Sequence, residues 1–189
     1  MLNQLRPALV TITFFTLVTG LCFPLAVTGL GQALFPAQAD GSLVRRGETV
    51  VGSALIGQNF ASDRYFWPRP SATGPEAYNA SASSGSNLGT TSVKLRDRVT
   101  GEVQRLREAG VAGAIPADAA TTSGSGLDPH ISPEFAAAQV DRVARTRGLE
   151  PEALRAIVLD HIDNRALGFI GEPRVNVLEL NLALDALKS

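Results

Sequence analysis

The chain has 189 residues, with 17 Lys+Arg against 18 Asp+Glu, two His and one Cys. That is room for one domain of ordinary size. It excludes a disulfide framework or Cys-cluster metal site within the chain, makes a histidine-rich centre a poor fit, and offers no basic excess for nucleic acid. Mean hydropathy is +0.09, high for a soluble protein, and the excess lies at the N-terminus.

From Pro7 to Ala39, 33 residues pass without Asp, Glu, Lys, Arg or His. Within them Ala8 to Leu30 is mainly apolar. As a helix at about 1.5 Å per residue this run reaches about 35 Å, enough for a hydrocarbon core of about 30 Å. The expected organisation is a short cytoplasmic tail (1–7), a transmembrane helix (8–30) and an extracytoplasmic domain (31–189). A signal peptide is the competing reading, because Ala37-Gln38-Ala39 before Asp40 has the A-x-A form. Against it, the apolar run exceeds the usual h-region of about 7–15 residues, and Arg6 alone supplies basic charge ahead of it. Charges flanking the span, Arg6 against Asp40, Arg45, Arg46 and Glu48, nearly tie on the positive-inside count. The expected topology has a short tail with the N-terminus in the cytoplasm, which puts residues 40–189 outside. Cys22 falls inside the span and reports nothing on redox compartment.

Pro24 lacks an amide proton, frees the Gly20 carbonyl and predicts a kink. Thr16 and Gly20 form a small-xxx-small pair with Thr13 on the same face, a surface on which another helix can approach closely. Small residues also occur in membrane helices that have no partner.

The rest of the chain predicts one α+β domain. Leu43-Val44 and Thr49–Val51 flank the polar Arg45–Glu48, which suggests a hairpin. Residues 57–92 are rich in Gly, Ser, Asn, Pro and aromatics, and Ser81–Ser92 fits either a linker or a structured loop. Helix signals follow. Ser92 caps a segment with Leu95, Val99, Val103 and Leu106 at helical spacing, closed by Gly110. Ser132-Pro133 opens a second helix with Phe135, Val140 and Val143, ending at Gly148. Glu150-Pro151 starts a third through Leu154, Ile157, Val158 and Ile162, ending near Gly168. Asn176 and Glu179 form a capping-box pattern before Val177, Leu180, Leu184 and Leu187. The alternation of Leu178, Leu180, Leu182 and Leu184 fits a strand as well.

Chemistry-bearing motifs are weak. Ser123, Ser125, Asp128 and His130 lie close in sequence, but a triad is defined by geometry and no G-x-S-x-G elbow occurs. A turn leading to the Ser132 cap is the simpler reading. His161 between Asp160 and Asp163 is a poor metal set, since these positions do not share one helix face. No P-loop motif is present. The amides of Gly85–Thr91 offer only an unspecific anion contact. The most unusual cluster is Arg64 to Pro70 (RYFWPRP). Tyr65, Phe66, Trp67 and Arg69 suit a protein interface, though a Trp and Phe in the core with Arg in water fits equally well.

In order and over nearly the whole chain, these blocks resemble the C-subunit family of the Kdp-type potassium-transporting ATPases. The residues that carry the resemblance start with Pro24–Gly29 and Gln32–Gln38, then Gly52-Ser53 and Leu55–Gln58. They continue through Tyr65–Ala72, Tyr78–Ala80, Ser84–Gly89 and Ser123–Pro133. Gln139, Arg142–Ala144, Arg147, Gly171–Val177 and Leu180–Asp185 close the match. Two departures, Ser84-Gly85-Ser86 and Gly89-Thr90-Thr91, touch only one loop.

The resemblance implies an accessory subunit of a high-affinity potassium uptake complex in the cell inner membrane. Its partners would be a potassium-translocating A subunit, a P-type ATPase B subunit and a small single-span F subunit, with the lipid bilayer and no nucleic acid. It further implies assembly and stabilisation, and a catalytic-chaperone effect that raises the ATP affinity of the ATPase subunit. Gln139 is the residue singled out for that effect. No autonomous cofactor or active site is expected, ATP being held by the ATPase subunit. An exported binding protein or hydrolase, released after Ala39, is the alternative.

Overall fold

A computed structural model describes residues 2–187. The chain divides into two compact units that meet between Val51 and Gly52.

The first unit is dominated by a continuous helix over Leu5–Leu34, 30 residues long and apolar enough to cross a membrane. It is longer than the expected 8–30. Helix α1 (Leu5–Leu17) runs into one π-helical turn at Val18–Cys22, and α2 (Phe23–Leu34) follows. The Phe23 amide donates to the Val18 carbonyl, five residues back. Thus Pro24, whose missing N–H breaks the ordinary ladder, is accommodated by a widened turn just ahead of it. A short α3 (Pro36–Ala39) leads to the hairpin of β1 (Leu43–Arg46) and β2 (Thr49–Ser53). The hairpin is tighter than the sequence suggested. Arg45 and Arg46 belong to β1, and the turn is Gly47-Glu48.

The second unit packs helices against a small antiparallel sheet. The expected caps form. Ser92 Oγ accepts from the Leu95 amide at 3.4 Å and starts α4 (Val93–Glu108). A one-turn α5 (Ala117–Ala120) precedes β3 (His130–Ile131). Ser132 Oγ accepts from the Phe135 amide at 3.0 Å at the head of α6 (Pro133–Arg147). Gly148 closes α6 with φ +67, the left-handed conformation that glycine adopts without Cβ strain.

Helix α7 (Pro151–Asp160) stops earlier than expected, because Ile162 and Asp163 form β4 instead of a last turn. The β5 strand (Arg174–Asn176) lies between β3 and β4, with His130 opposite Asn176 and Ile162 opposite Val175. Asn176 then caps α8 (Val177–Ala186), its Oδ1 accepting from Leu178 and Glu179 at 3.1 and 3.2 Å. Helix therefore prevails over the strand alternation of Leu178–Leu184. Two backbone amides satisfied by one side chain stabilise the first turn by about 1 kcal/mol.

Phe66, Phe135, Val140, Val143, Val175, Leu180 and Leu184 are sealed in one core together with Leu106, Leu154 and Val158. The Ser81–Ser92 stretch is a structured loop. Its Ser84 amide donates to the Ser125 carbonyl at 2.9 Å, and a Cβ on Gly85 would stand 2.9 Å from the Gly124 carbonyl.

Candidate functional site

The Arg64–Pro70 segment has no regular secondary structure, so its backbone polar groups need partners other than a ladder. Two helices supply them. Gln139 on α6 accepts from the Trp67 amide (2.8 Å) and donates to the Trp67 carbonyl (3.1 Å). Asn181 on α8 does the same for Phe66, at 2.9 and 3.0 Å. Both amide side chains are buried. Gln139 Oε1 also accepts from Arg142 Nη2 at 2.7 Å. Gln139 is 0 % exposed, so a nucleotide has no access to it in this conformation.

The four residues of the expected interface cluster divide. Phe66 and Trp67 fill the core, whereas Tyr65 and Arg69 keep part of their surface. The Arg142 guanidinium lies 3.8 Å from the centre of the Trp67 ring and donates to the carbonyls of Asp63 (2.6 Å) and Tyr65 (3.0 Å). Burial pushes its pKa down to about 10, helped by neighbouring Arg105 and opposed by Asp63. Tyr65 donates its hydroxyl to Asp185 at 3.1 Å, and Asp185 pairs with Arg147 at 2.8 Å.

Arg69 points to a second polar centre. It pairs with Asp128 at 2.8 Å, and the other Asp128 oxygen accepts from the His130 amide at 3.0 Å. Burial alone would raise the Asp128 pKa. Hydrogen bonds from His130 and Arg69, with the Arg69 charge, outweigh it and hold the carboxyl below its ordinary value. Tyr78 donates to the Arg69 carbonyl at 2.6 Å, and its phenol is pushed well up, first by burial and then by Asp128.

The serines of this segment shape the turn itself. Ser123 Oγ accepts from the Gly126 amide at 2.8 Å and Ser125 Oγ from the Leu127 amide at 3.1 Å. His161 Nδ1 meets the Ile157 carbonyl at 2.8 Å. Among the described residues no group of three or more His, Cys, Asp or Glu is placed to hold a metal ion.

On the apolar helix, Thr13, Thr16, Gly20 and Pro24 are all exposed. Around Gly20 the nearest atom to an added Cβ is Thr16 Cγ2 at 4.0 Å, so the helix leaves open space there. The second unit also carries an apolar feature that the sequence reading passed over. Between β4 and β5 the chain forms a tight tip, bridged by Ala166 and Ile170, in which Leu167 and Phe169 are 84 % and 72 % exposed. Leu167 has φ +53, unusual for a branched residue. The signal was available: Leu-Gly-Phe-Ile-Gly follows the expected helix but does not continue its period.

These features define a class: a chain with one membrane-length apolar helix and an α+β domain whose buried polar residues hold its own backbone. The family model described as "K+-transporting ATPase, c chain" matches residues 5–186. The protein from Variovorax paradoxus (strain S110) named "Potassium-transporting ATPase KdpC subunit" is 57 % identical over 186 residues, covering 97 % of this chain and 96 % of its own. Proteins of the same name from Polaromonas naphthalenivorans (strain CJ2) and Methylococcus capsulatus are 58 % and 54 % identical. Those alignments span 100 % of this chain and 97 % and 100 % of theirs. The chain belongs to the family of C subunits of the potassium-transporting Kdp ATPase, and is thus a subunit of that complex.

Proposed function

We propose that this subunit is an accessory one. It assembles and stabilises the complex with a potassium-translocating A subunit, a P-type ATPase B subunit and a small single-span F subunit. The observation that carries this reading is the Leu5–Leu34 helix, whose apolar surface is exposed along its whole length in a chain of a transport-ATPase family. A helix of this kind is stabilised by lipid and by neighbouring helices. The N-terminus lies in the cytoplasm and residues 31–189 on the other side of the membrane.

In this topology the domain never meets cytoplasmic ATP. An effect on the ATP affinity of the ATPase subunit then runs through coupled conformations of the complex. The placement of Gln139 supports this, since its polar atoms all engage Trp67 and Arg142. The domain holds no nucleotide by itself.

The test is a pull-down of the C-terminally tagged full chain from native membranes in mild detergent, read by mass spectrometry. Recovery of the translocating and ATPase subunits with an uncleaved N-terminus is the expected result. Recovery of the chain alone, starting at Asp40, would overturn the reading in favour of an exported protein.

A further inference from the structure

Between the Arg64–Pro70 segment and α4 lies a half-enclosed cleft of about 480 Å³. Its walls are largely apolar, including Phe60, Trp67, Pro68 and Tyr78, and its charges are Arg69, Arg98, Glu102 and Arg105. Two of the three cations have partners. Arg69 pairs with Asp128 at 2.8 Å. Arg105 pairs with Glu102 at 2.9 Å and sits 4.5 Å from the centre of the Trp67 ring.

Arg98 is different. Among the described residues no carboxylate lies within ion-pair distance of it. Its Nη2 reaches only Ser86 Oγ, at 3.5 Å, and its Nε is buried with no hydrogen-bond partner. A partly buried guanidinium with unused donors and no counter-charge is unfavourable by itself. Its fork geometry matches a carboxylate, with which it forms two parallel hydrogen bonds. The cleft therefore has one uncompensated positive charge within walls that suit an aliphatic stem.

We propose that the Arg98 cleft is a socket for an acidic side chain, Asp or Glu, presented by another subunit of the complex. The inference rests on the subunit reading and adds a contact to it. A bare inorganic anion would satisfy the charge and leave the partly exposed walls of Phe60, Pro70 and Tyr78 uncovered. A carboxylate on a protein loop does both. The charge pair also gives docking a fixed register, because its loss leaves a desolvated charge on each side.

The test uses the full chain reassembled with the complex in mild detergent. Arg98→Gln keeps a hydrogen-bonding side chain but removes the charge. It should weaken retention on the immobilised complex by about tenfold, and Arg98→Glu should weaken it further. Both losses should shrink as salt rises in the wild-type reference. Wild-type retention of Arg98→Gln at low salt would overturn the proposal. A second measurement does not depend on affinity. Arg98→Lys places an amine in the cleft, and a zero-length carbodiimide should couple it to an Asp or Glu of another subunit. Coupling only within the chain, to Glu102 for instance, or none at all, overturns the socket. So does inorganic phosphate that binds wild type and not Arg98→Gln yet leaves retention of wild type unchanged, since the site is then a free-anion site. If the complex forms normally with every variant, the socket fails while the accessory-subunit reading stands. If no complex is recovered even with wild type, that reading fails first.

Discussion

Asn181 holds both backbone polar groups of Phe66, receiving its amide at 2.9 Å and donating to its carbonyl at 3.0 Å. Gln139 repeats this on the next residue, Trp67. Two side-chain amides from α6 and α8 thus stand in for the neighbouring strand that this extended segment lacks. The segment can then enter the core without orphaned donors and acceptors, and it carries two aromatic rings with it.

Gln139→Ala should be costly for that reason. It strands the Trp67 amide and carbonyl inside the core and leaves Arg142 short of an acceptor, for a loss of roughly 2–4 kcal/mol. Denaturant unfolding of the full chain in detergent checks it. Asn181→Ala should behave alike, and a change under about 0.5 kcal/mol in either would show that water replaces the clamp.

Asp128 makes stability depend on acid. Its folded pKa lies below the ordinary 3.8, so the unfolded chain takes up the proton first as pH falls. Its contribution is whole above pH 3.8 and disappears as pH drops through the lowered folded value. Asp128→Asn should lower the melting temperature at pH 7, and the gap from wild type should narrow below about pH 4. A constant gap down to pH 2.5 would contradict the assigned interactions with Arg69 and His130.

Gly126 and Gly124 offer a matched pair. At Gly126, φ is +67, and an added Cβ would lie 2.7 Å from Thr73 Cγ2 and 2.8 Å from the Ser84 carbonyl. Nothing lies within 4 Å of the same position at Gly124. Gly126→Ala should cost about 2 kcal/mol or more, while Gly124→Ala should change stability by under about 1 kcal/mol. Equal melting temperatures would refute the docking of the Ser84 loop on the Ser125 turn.

Gly20→Leu tests the helix face. The chain itself has space for the larger side chain, with Thr16 Cγ2 4.0 Å from the new Cβ. Reduced recovery of the other subunits, with unchanged folding of the domain by circular dichroism, is the expected outcome. Full recovery would mean that no neighbour packs closely at Gly20.

The caps were legible because they are local. Ser92, Ser132 and Asn176 each declare a helix start within four residues of chain, and each does so in the structure. The three short strands were not, since two or three residues carry no periodicity of their own and exist through pairing around Val175. Ile162 fitted the apolar period of α7 yet pairs with Val175. The clamps left a fainter trace. Gln139 lies among Ala136, Val140 and Val143, and Asn181 among Val177, Leu180 and Leu184, so each is an amide set in an apolar stripe. That pattern marks a buried polar group with a job, but the partner's identity is a tertiary fact. For the membrane-length helix, composition was enough to locate it, while its extension to Leu5–Leu34 and the π turn before Pro24 are seen only in the structure.

The clamp on Phe66 joins residues 115 positions apart. A ribosome delivers Phe66 and Trp67 long before it delivers Asn181, and synthesis runs at about 5–20 residues per second. For several seconds, then, the Phe66 ring and its peptide groups wait for α8, whereas the Trp67 peptide groups wait only for Gln139 on α6. Until α8 is made, the peptide group of Phe66 lacks its side-chain partner, and the early half of the domain depends on whatever shields it from aggregation during synthesis.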